Sequence, residues 1–491
     1  METQTEQPNR ESRTVTIWAI SSLVAAVVLV YWPALGFDFV NWDDPWYVAN
    51  NDLVKSWAPA NLSRIASETV TRNYAPLTVF SLLVDHTLWG MQSTGYHLTN
   101  ILLHVLNAVL VYFLLTRLTR NRYIAWTTAL LFAVHPVQIE TVAWISSRKG
   151  LLSATFMLAS LMYWFRQDRS NKQEGIAILW LCAALLSKAI AVCIPPIVLL
   201  YDVLVRRKSV SDAFVRQIVP GILSFLLLAV TMASQTSIMG GLRDHLSLSK
   251  IHLIAVDTTL LWRYVGMLLW PRNLCVLYNP PTSGIALGVV LASLGLLAVA
   301  RGAWNARTKY PLVTLAIAAF YLLFVPVLNL FPLTTLMNDR YLYLPSIAFF
   351  GLASATVVWA FSNAKQALGE RGMQLTGVAL TCSVAAILMF AASKHLPVWR
   401  NSVTLWNHAM AEAPELMVVR IQKAYSLHES GRETEAMMTL QKALQECPRD
   451  SVDHPRATAL LKDWILESAK GEEQRRARVQ KVGAIQRRSG I

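Results

Sequence analysis

The chain has 491 residues, of which 54% are hydrophobic and 15% charged, with a formal net charge of +14 and a mean hydropathy of +0.39. A soluble globular chain carries roughly 25% charged residues, so water does not solvate most of this chain, and the composition predicts a multi-pass membrane protein. Most Lys and Arg stand in short clusters between apolar runs, as the positive-inside rule requires, so the charge does not indicate a nucleic-acid partner. The five cysteines form no C-x-x-C pair, and we predict neither disulfides nor a zinc site.

Apolar runs long enough to cross the bilayer, or nearly so, recur along the chain and predict an all-α, polytopic helix bundle of about eleven spans. The first run lacks a small-residue cleavage site, so we predict an uncleaved span. Residues 252–270 contain Asp257 and Arg263 and are predicted to lie at the outer interface instead. The predicted spans are 15–34, 97–115, 123–142, 150–165, 176–187, 189–204, 216–234, 284–300, 310–331, 341–361 and 374–393.

Five basic clusters orient the spans, because Lys and Arg collect on the cytoplasmic side. Each cluster lies an even number of crossings from the next, so residues 1–14 are predicted to be cytoplasmic. The first loop (36–96), the loops 143–149, 235–283 and 332–340, and the C-terminal segment are then outside, in the bacterial periplasm. The clusters are Arg117, Arg120 and Arg122; Arg166, Arg169 and Lys172; Arg206, Arg207 and Lys208; Arg301, Arg307 and Lys309; Lys365 and Arg371.

The chain changes character after the membrane domain (15–393). Residues 394–470 are amphipathic and predict a periplasmic helical domain, within which 418–448 resembles one tetratricopeptide unit. A single unit cannot bury its own face, so residues 399–415 and 455–470 are expected to stack on it. Residues 471–491 are polar and basic and are predicted to be disordered. The residues whose spacing within 418–448 resembles a tetratricopeptide unit are Ala424, Tyr425, Gly431, Ala436, Leu440, Ala443, Leu444 and Pro448.

Adjacent carboxylates, Asp43 and Asp44, stand in the first outer loop between Trp42 and Pro45, with Asp52 further on. Carboxylates are costly near hydrocarbon and commonly mark function there. The alternative is that they solvate the loop and cap a short helix.

Polar residues also recur inside the second predicted span, at three- and four-residue spacing that places them on one helix face: His97, Asn100, His104 and Asn107. For His104 and Asn107 we favour hydrogen bonding between helices. For His97 and Asn100, near the outer end, a polar cavity is the other interpretation.

Further charged residues are predicted on the outer side. Pro136 should end a regular helix, so that His135 and Glu140 face an outer pocket. They are candidate metal ligands together with Asp43, although an orienting pair or an ion pair with Arg148 is the commoner outcome for such residues. Lys188 joins two short spans. Arg340 is a candidate either for the same pocket or for an anchor at the membrane interface. Together these groups suit an anionic lipid head group and a polar acceptor.

Five ordered motifs across residues 15–450 resemble the transmembrane and tetratricopeptide-repeat O-mannosyltransferases, in particular bacterial relatives, of the GT-C glycosyltransferase superfamily. The motifs are Phe39-Val40-Asn41-Trp42-Asp43-Asp44, Asn73-Tyr74-Ala75-Pro76-Leu77, Tyr96-His97-Leu98-Thr99-Asn100 with His104, His135-Pro136-Val137 with Glu140, and Asp339-Arg340-Tyr341-Leu342-Tyr343-Leu344-Pro345-Ser346.

The resemblance implies a polyprenyl- or dolichyl-phosphate sugar donor, transfer on the outer face, and catalysis at Asp43 and Asp44. Pocket or orienting roles fall on Glu140, His135, His97, Asn100 and Tyr74. This chain departs from the family at Ala75, where an Arg is usual and Arg72 is the nearby substitute. It departs again at Gly150, where an acidic residue often stands.

The chemistry agrees with the residues themselves. A sugar phosphate already has a good leaving group, so one carboxylate suffices to take the acceptor's proton, and the transfer inverts the anomeric centre. We expect Asp44 to be this base, because Pro45 fixes the backbone after it, and Asp44→Asn to fold without transferring sugar. Arg340, Arg148 and Lys188 are expected to stabilise the departing phosphate.

Two other functions stay open on the sequence alone. One is a lipid-linked glycan polymerase, ligase or flippase, against which the dense first-loop motif argues. The other is a non-catalytic, membrane-anchored scaffold with a tetratricopeptide-like binding domain. The leading interpretation is a transferase that takes mannose from the lipid-linked donor to Ser or Thr of a periplasmic protein held by the C-terminal domain. Its partners would be membrane lipids, the donor and that protein, and the enzyme would lie in the bacterial inner membrane.

Overall fold

A computed structural model describes residues 10–71, 73–236, 248–329, 335–363, 365–447, 451 and 453–470. Over these residues the protein is all-helical, without a β-strand, and the predicted fold class is confirmed at that level. The predicted tail at 471–491 and most of the N-terminal segment lie outside the described residues, as does Arg72.

Twenty α-helices carry the described fold, joined by short 3₁₀ turns. They are α1 Arg10–Tyr31, α2 Pro59–Ser67, α3 Pro76–Trp89, α4 Ser93–Thr119, α5 Arg122–Val134, α6 Ile139–Ala143, α7 Arg148–Trp164, α8 Asn171–Leu185, α9 Ile194–Leu204, α10 Val210–Arg216, α11 Ile218–Thr236, α12 Lys250–Leu269, α13 Ala286–Ala306, α14 Pro311–Leu322, α15 Pro345–Asn363, α16 Lys365–His395, α17 Ser402–Glu412, α18 Met417–Glu429, α19 Glu433–Glu446 and α20 at 454–470.

Apolar helices of membrane-spanning length make this a multi-pass membrane protein. Among the described residues, Arg13–Gly36, Ser93–Thr119, Ala286–Ala306 and Gln374–Trp399 are long and apolar enough to cross. Val210–Arg216 and Ile218–Ser234, bent by 51°, add a fifth if they count as one span. Four shorter apolar helices lie among the remaining predicted spans, and the count of eleven stays a prediction.

Basic loops meet at one end of the bundle. Arg117, in the last turn of α4, donates a hydrogen bond to the carbonyl of Met162 in α7. Arg207 donates to the carbonyl of Thr308 at 2.8 Å, which joins the loops after α9 and α13. Arg206 donates to the Gln167 carbonyl at 3.1 Å, so the loops of the first four predicted clusters adjoin one another. The loop that carries Asp43 and Asp44 follows the C-terminal end of α1.

The centre of the bundle is formed by α1, α4, α5, α7 and α15. His104 Nδ1 lies 2.8 Å from the Tyr343 hydroxyl, to which Asn107 Nδ2 donates at 3.0 Å. Asn107 Oδ1 accepts from the hydroxyl of Thr155 in α7 at 2.7 Å. Both side chains are fully buried. The prediction that His104 and Asn107 make hydrogen bonds between elements is confirmed.

Proline and polar residues interrupt the third predicted span. As Pro136 predicts, α5 ends at Val134 and is followed by a 3₁₀ turn and the five-residue α6. The span predicted over 123–142 is thus a 13-residue helix followed by a folded-back segment. This break brings Glu140 and the loop 143–149 over the first outer loop.

The C-terminal helices α18, α19 and α20 enclose a hydrophobic cluster of their own. Gly431, at φ +78°, makes the turn between α18 and α19, in the left-handed region that favours glycine. The Trp464 ring of α20 stacks on the His428 ring of α18, with centroids 4.3 Å apart. These helices match the predicted segments, whereas the tetratricopeptide assignment and the domain boundaries stay predictions. The cluster contains Met417, Ile421, Ala424, Leu427, Ala436, Leu440, Ala443, Cys447, Ala457 and Trp464.

Candidate active site

The two adjacent carboxylates of the first outer loop have different environments. The Asp44 side chain is 1% exposed and accepts hydrogen bonds from the Val40 amide at 2.9 Å, the Ser146 amide at 3.0 Å and the Ser146 hydroxyl. The Asp43 side chain is 25% exposed and lies 3.4 Å from Lys149 Nζ. Asp44 therefore fastens the first loop to the loop 143–149, whereas Asp43 keeps an oxygen accessible.

The alternative that these carboxylates are helix caps is wrong for Asp44. A π-helical turn, Pro45–Ala49, begins after it, yet the Asp44 side chain makes no capping hydrogen bond to that turn. Asp52 does behave as a solvated residue, because its side chain is 85% exposed and pairs with Lys55 at 3.4 Å.

Burial raises the pKa of Asp44 to about 6 from 3.8, although the hydrogen bonds from Ser146 and Val40 lower it. The folded protein then holds a proton that the unfolded chain has already lost, so this group favours folding below pH 4 and loses that contribution as the pH rises to 6. We expect the difference in free energy of unfolding, wild type minus Asp44→Asn, to decrease between pH 4 and 7 by no more than about 3 kcal/mol. Thermal unfolding in detergent at several pH values measures it, and a pH-independent difference would contradict the assignment.

Cations gather around Trp144 beside Asp43. Lys149 Nζ lies 5.7 Å from the Trp144 ring centroid and 4.7 Å from that of Tyr47. The Arg340 guanidinium lies 5.4 Å from the same Trp144 ring. Cations over an aromatic face are attracted by its quadrupole, so Trp144 holds two positive charges near one carboxylate.

Glu140 orients Arg340. Its Oε2 accepts a hydrogen bond from the Arg340 amide at 2.8 Å, and its Oε1 pairs with the guanidinium. The Glu140 side chain is 1% exposed and that of Arg340 is 13% exposed. The predicted ion pair of Glu140 with Arg148 is therefore wrong, and so is the membrane-interface role for Arg340, because a buried carboxylate holds its guanidinium.

Lys188 completes the cluster from the junction of α8 and the turn before α9. It lies close enough to Arg340 and Lys149 for both to repel its charge. Its Nζ is 3.9 Å from the position that a Cβ at Gly150 would occupy. Burial and these two cations lower the pKa of Lys188 to about 7. Among the described residues its Nζ makes neither a hydrogen bond nor an ion pair, so it is available to an anionic ligand, which would favour its charged form.

Arg148 does not join this cluster. Its side chain is fully buried and pairs with Asp85 Oδ2 at 2.7 Å, while also donating to the Tyr96 carbonyl and to Asn100. This contradicts the predicted role in phosphate binding, because protein groups enclose the guanidinium. Arg148 instead ties α7 to α3 and α4.

Asp85→Asn should destabilise the protein by about 3 kcal/mol, because it leaves the Arg148 guanidinium buried without its counter-charge. Glu68→Gln is the matched control. Glu68 pairs with Arg64 at 2.7 Å, but both side chains are about half exposed, so we expect a change below about 1 kcal/mol. Thermal unfolding of the two variants side by side measures the difference, and equal melting temperatures would contradict the structural role of Asp85.

The predicted orienting residues other than Glu140 hold the scaffold around the site. Asn100 Nδ2 donates to the carbonyls of Val142 and Trp144, at 3.2 and 3.1 Å. His97 is buried, with its ring edge-on to Phe37. Neither residue lines an open polar cavity, contrary to the second interpretation of the motif.

His135 and Tyr74 are also engaged elsewhere. His135 Nε2 lies 3.2 Å from the Leu268 carbonyl, and its Nδ1 accepts from the Val137 amide. The Tyr74 hydroxyl donates to the Ala66 carbonyl at 2.7 Å. Within the described part of the chain no three His, Cys, Asp or Glu side chains come together as metal ligands. His135, Glu140 and Asp43 are therefore not brought together as one set of ligands among these residues.

An apolar cavity of about 170 Å³ runs inside the bundle between α4, α7, α14 and α15. It reaches from Leu344, four residues after Arg340, to Leu118 and Thr119 near the basic end. Its walls are almost wholly aliphatic, which suits a hydrocarbon chain.

Known proteins resemble this chain over much of its length. A protein O-mannosyl-transferase of Caenorhabditis elegans is 26% identical over 442 residues, which cover 83% of this chain and 59% of the worm protein. The protein O-mannosyl-transferase TMTC1 of Mus musculus is 36% identical over 169 residues, which cover 32% of this chain and 18% of the mouse protein. The chain thus spans less than two thirds of either relative. No family model matches it.

Two solved structures are weakly similar to this chain. An Archaeoglobus fulgidus oligosaccharyltransferase tethered with an acceptor peptide has a TM-score of 0.44 and 14% identity, covering 78% of this chain and 56% of that one. ArnT of Cupriavidus metallidurans bound to undecaprenyl phosphate has a TM-score of 0.39 and 16% identity, covering 86% and 74%. The sequence relatives confirm the resemblance predicted from the motifs, and the chain is a relative of the protein O-mannosyl-transferases.

Proposed function

We propose that the protein is an inverting glycosyltransferase that moves mannose from a polyprenyl-phosphate donor to a hydroxyl group, that of a protein Ser or Thr, on the outer face of the bacterial inner membrane. One observation carries the proposal. An accessible carboxylate, Asp43, lies beside a cluster of Lys149, Lys188 and Arg340, at the membrane domain's end opposite the basic loops. The names of the sequence relatives support the sugar and the protein acceptor.

Asp43 is the base in this proposal. The acceptor oxygen attacks the anomeric carbon and gives its proton to the Asp43 carboxylate, while the bond from that carbon to the phosphate oxygen breaks. Attack opposite the leaving group inverts the centre. Asp44 is less suited than the sequence led us to expect, because three donors already occupy its oxygens.

The departing polyprenyl phosphate carries the negative charge that Lys188, Arg340 and Lys149 neutralise. Fixed cations in a water-poor site stabilise such a charge without having to reorganise. Arg340 is oriented by Glu140 and Lys149 is held near Asp43, so Lys188 is the cation of the three that is free for the phosphate. The prenyl chain would follow the apolar cavity that begins at Leu344.

The separation of the candidate site from the basic loops supports the predicted topology. With the basic loops in the cytoplasm, residues 1–14 lie inside, the membrane domain covers 15–393, and residues 394–470 lie in the periplasm beside the site. The C-terminal helices are then placed to receive a protein acceptor.

Transfer in vitro tests this function. Purified wild type and Asp43→Asn would be incubated with undecaprenyl-phosphate-[³H]mannose and periplasmic proteins. Label on protein in the wild type alone would support a protein mannosyltransferase. Label on glycan or lipid alone would favour a polymerase or ligase. Absence of both donor turnover and donor binding would overturn the transferase and favour a scaffold.

A further inference from the structure

The C-terminal helices contact the first outer loop directly. The Asp38 amide donates to the Arg400 carbonyl at 2.9 Å, and the Asn41 amide donates to the Ser402 hydroxyl at 2.9 Å. Asp38 and Asn41 belong to the segment that leads to the catalytic carboxylate. Two of its backbone hydrogen bonds thus go to residues more than 350 positions away in sequence.

Asn41 concentrates these contacts. Its Oδ1 accepts from the Trp406 indole at 2.6 Å, and its Nδ2 donates to Glu429 Oε2 at 3.2 Å. The next residue, Trp42, packs edge-on against the Trp406 ring, with centroids 5.3 Å apart. Trp406 is fully buried, and hydrogen bonds in such surroundings define position strongly.

The segment 38–44 is therefore held on two sides. On one side the Val40 amide and Ser146 bind Asp44, which fixes the end of the segment to the membrane domain. On the other side Ser402 and Trp406 of α17 hold Asn41, two residues before Asp43. Because the Asp43 side chain has one partner among the described residues, Lys149 at 3.4 Å, its direction depends on these neighbours.

The α17 region reaches the phosphate side of the cluster as well. His408 Nε2 lies 2.9 Å from the Leu274 carbonyl. In the same loop the Tyr278 hydroxyl donates to Asp339, the residue before Arg340. One helix thus contacts both the segment of the base and the loop next to the phosphate-binding arginine.

We propose that Trp406 and Ser402 of the C-terminal region are positioning residues for transfer, acting through Asn41 to aim the Asp43 carboxylate at the acceptor hydroxyl. This rests on the proposed function. Loss of either hydrogen bond leaves the donor site complete but lets the base deviate from its productive direction. Misplacement of a catalytic group lowers the rate of the chemical step rather than the binding of substrate.

The test compares Trp406→Phe and Ser402→Ala with wild type. Trp406→Phe removes the indole N–H but keeps an aromatic ring against Trp42. Each variant should lower kcat for undecaprenyl-phosphate-mannose about five-fold, the effect of one ordinary hydrogen bond, with donor Kd unchanged. Ser402→Thr, which keeps the hydroxyl, should restore kcat. Trp464→Phe is the matched control, because it alters an indole in the same helical region away from Asn41, and it should leave kcat unchanged.

A readout independent of turnover accompanies the kinetics. Hydrogen exchange of the amides in residues 40–47 should be faster in Trp406→Phe and Ser402→Ala than in wild type, and not in Trp464→Phe. Wild-type kcat in both variants of an active enzyme would overturn the positioning role and leave the proposed function standing. An equal fall of kcat in Trp464→Phe would also overturn the positioning role, since it would indicate general destabilisation. A wild type that turns over no donor would overturn the proposed function and the positioning role with it.

Discussion

Asp43→Asn is expected to lower kcat for sugar transfer by about 10²- to 10⁴-fold, the range that a general base contributes. The amide keeps the size and one acceptor oxygen of the carboxylate but cannot take the acceptor's proton. Donor binding should persist, because Lys188 and Arg340 do not depend on Asp43 for their placement. Measurement of kcat and of donor Kd in the same purified preparation separates the two effects.

Two further substitutions make the Asp43 result specific. Asp52→Asn is the same chemical change in the same loop at a side chain that is 85% exposed, and it should leave kcat unchanged. Asp44→Asn places an NH₂ group against the Val40 or Ser146 donors, so we expect lower stability and, as a consequence, lower activity. If Asp44→Asn folds but is inactive, while Asp43→Asn is active, then Asp44 rather than Asp43 is the base.

The helical framework could be predicted because membrane-spanning runs are local. A stretch of apolar residues fixes a helix almost regardless of its neighbours, and each predicted run contains an α-helix among the described residues. The end of α5 before Pro136 follows from the missing amide of proline in the same local way. Charge clusters likewise predicted that the loops of the first four clusters adjoin one another.

Pairing within the site could not be predicted so well, because it depends on contacts remote in sequence. Arg148 and Lys149 are adjacent, and successive helical residues point about 100° apart, so one had to face the core and the other the site. Nothing in the local sequence distinguishes the two, so Lys149 is a site residue that the sequence does not predict. Asp85, the buried partner of Arg148, lies 63 residues away on a helix without other signals.

The difference between Asp43 and Asp44 has the same origin. Ser146, which occupies an oxygen of Asp44, is 102 residues distant, and the contact exists only because α5 breaks at Pro136 and folds back. Asn41 and Trp406, separated by 365 residues, are a further case. Motif resemblance located the site, but the division of roles within it required the tertiary structure.

Lys188→Met is expected to raise the donor KM and the Kd of the product, undecaprenyl phosphate, by about 10- to 100-fold, because a hydrogen bond to a charged group contributes about 1.5–3 kcal/mol. Lys188→Arg, which keeps the charge, should recover most of the affinity. Titration of undecaprenyl phosphate against each detergent-solubilised variant measures the effect. Wild-type affinity in Lys188→Met would remove this lysine from the phosphate site.

Gly150 provides an independent check on the same charge. A Cβ at this position would lie 3.6 Å from Thr141 Cγ2 and 3.9 Å from Lys188 Nζ, so a side chain fits and a carboxylate there can pair with the lysine. Gly150→Asp should therefore weaken product binding about ten-fold in the wild-type background, by the loss of one charge-assisted hydrogen bond, and have little effect in Lys188→Met. Gly150→Ala adds the Cβ without the charge and should bind like wild type. If Gly150→Ala weakens product binding as much as Gly150→Asp, the effect is steric. The comparison with the Lys188→Met background then gives no support for a charge on Lys188 at this site.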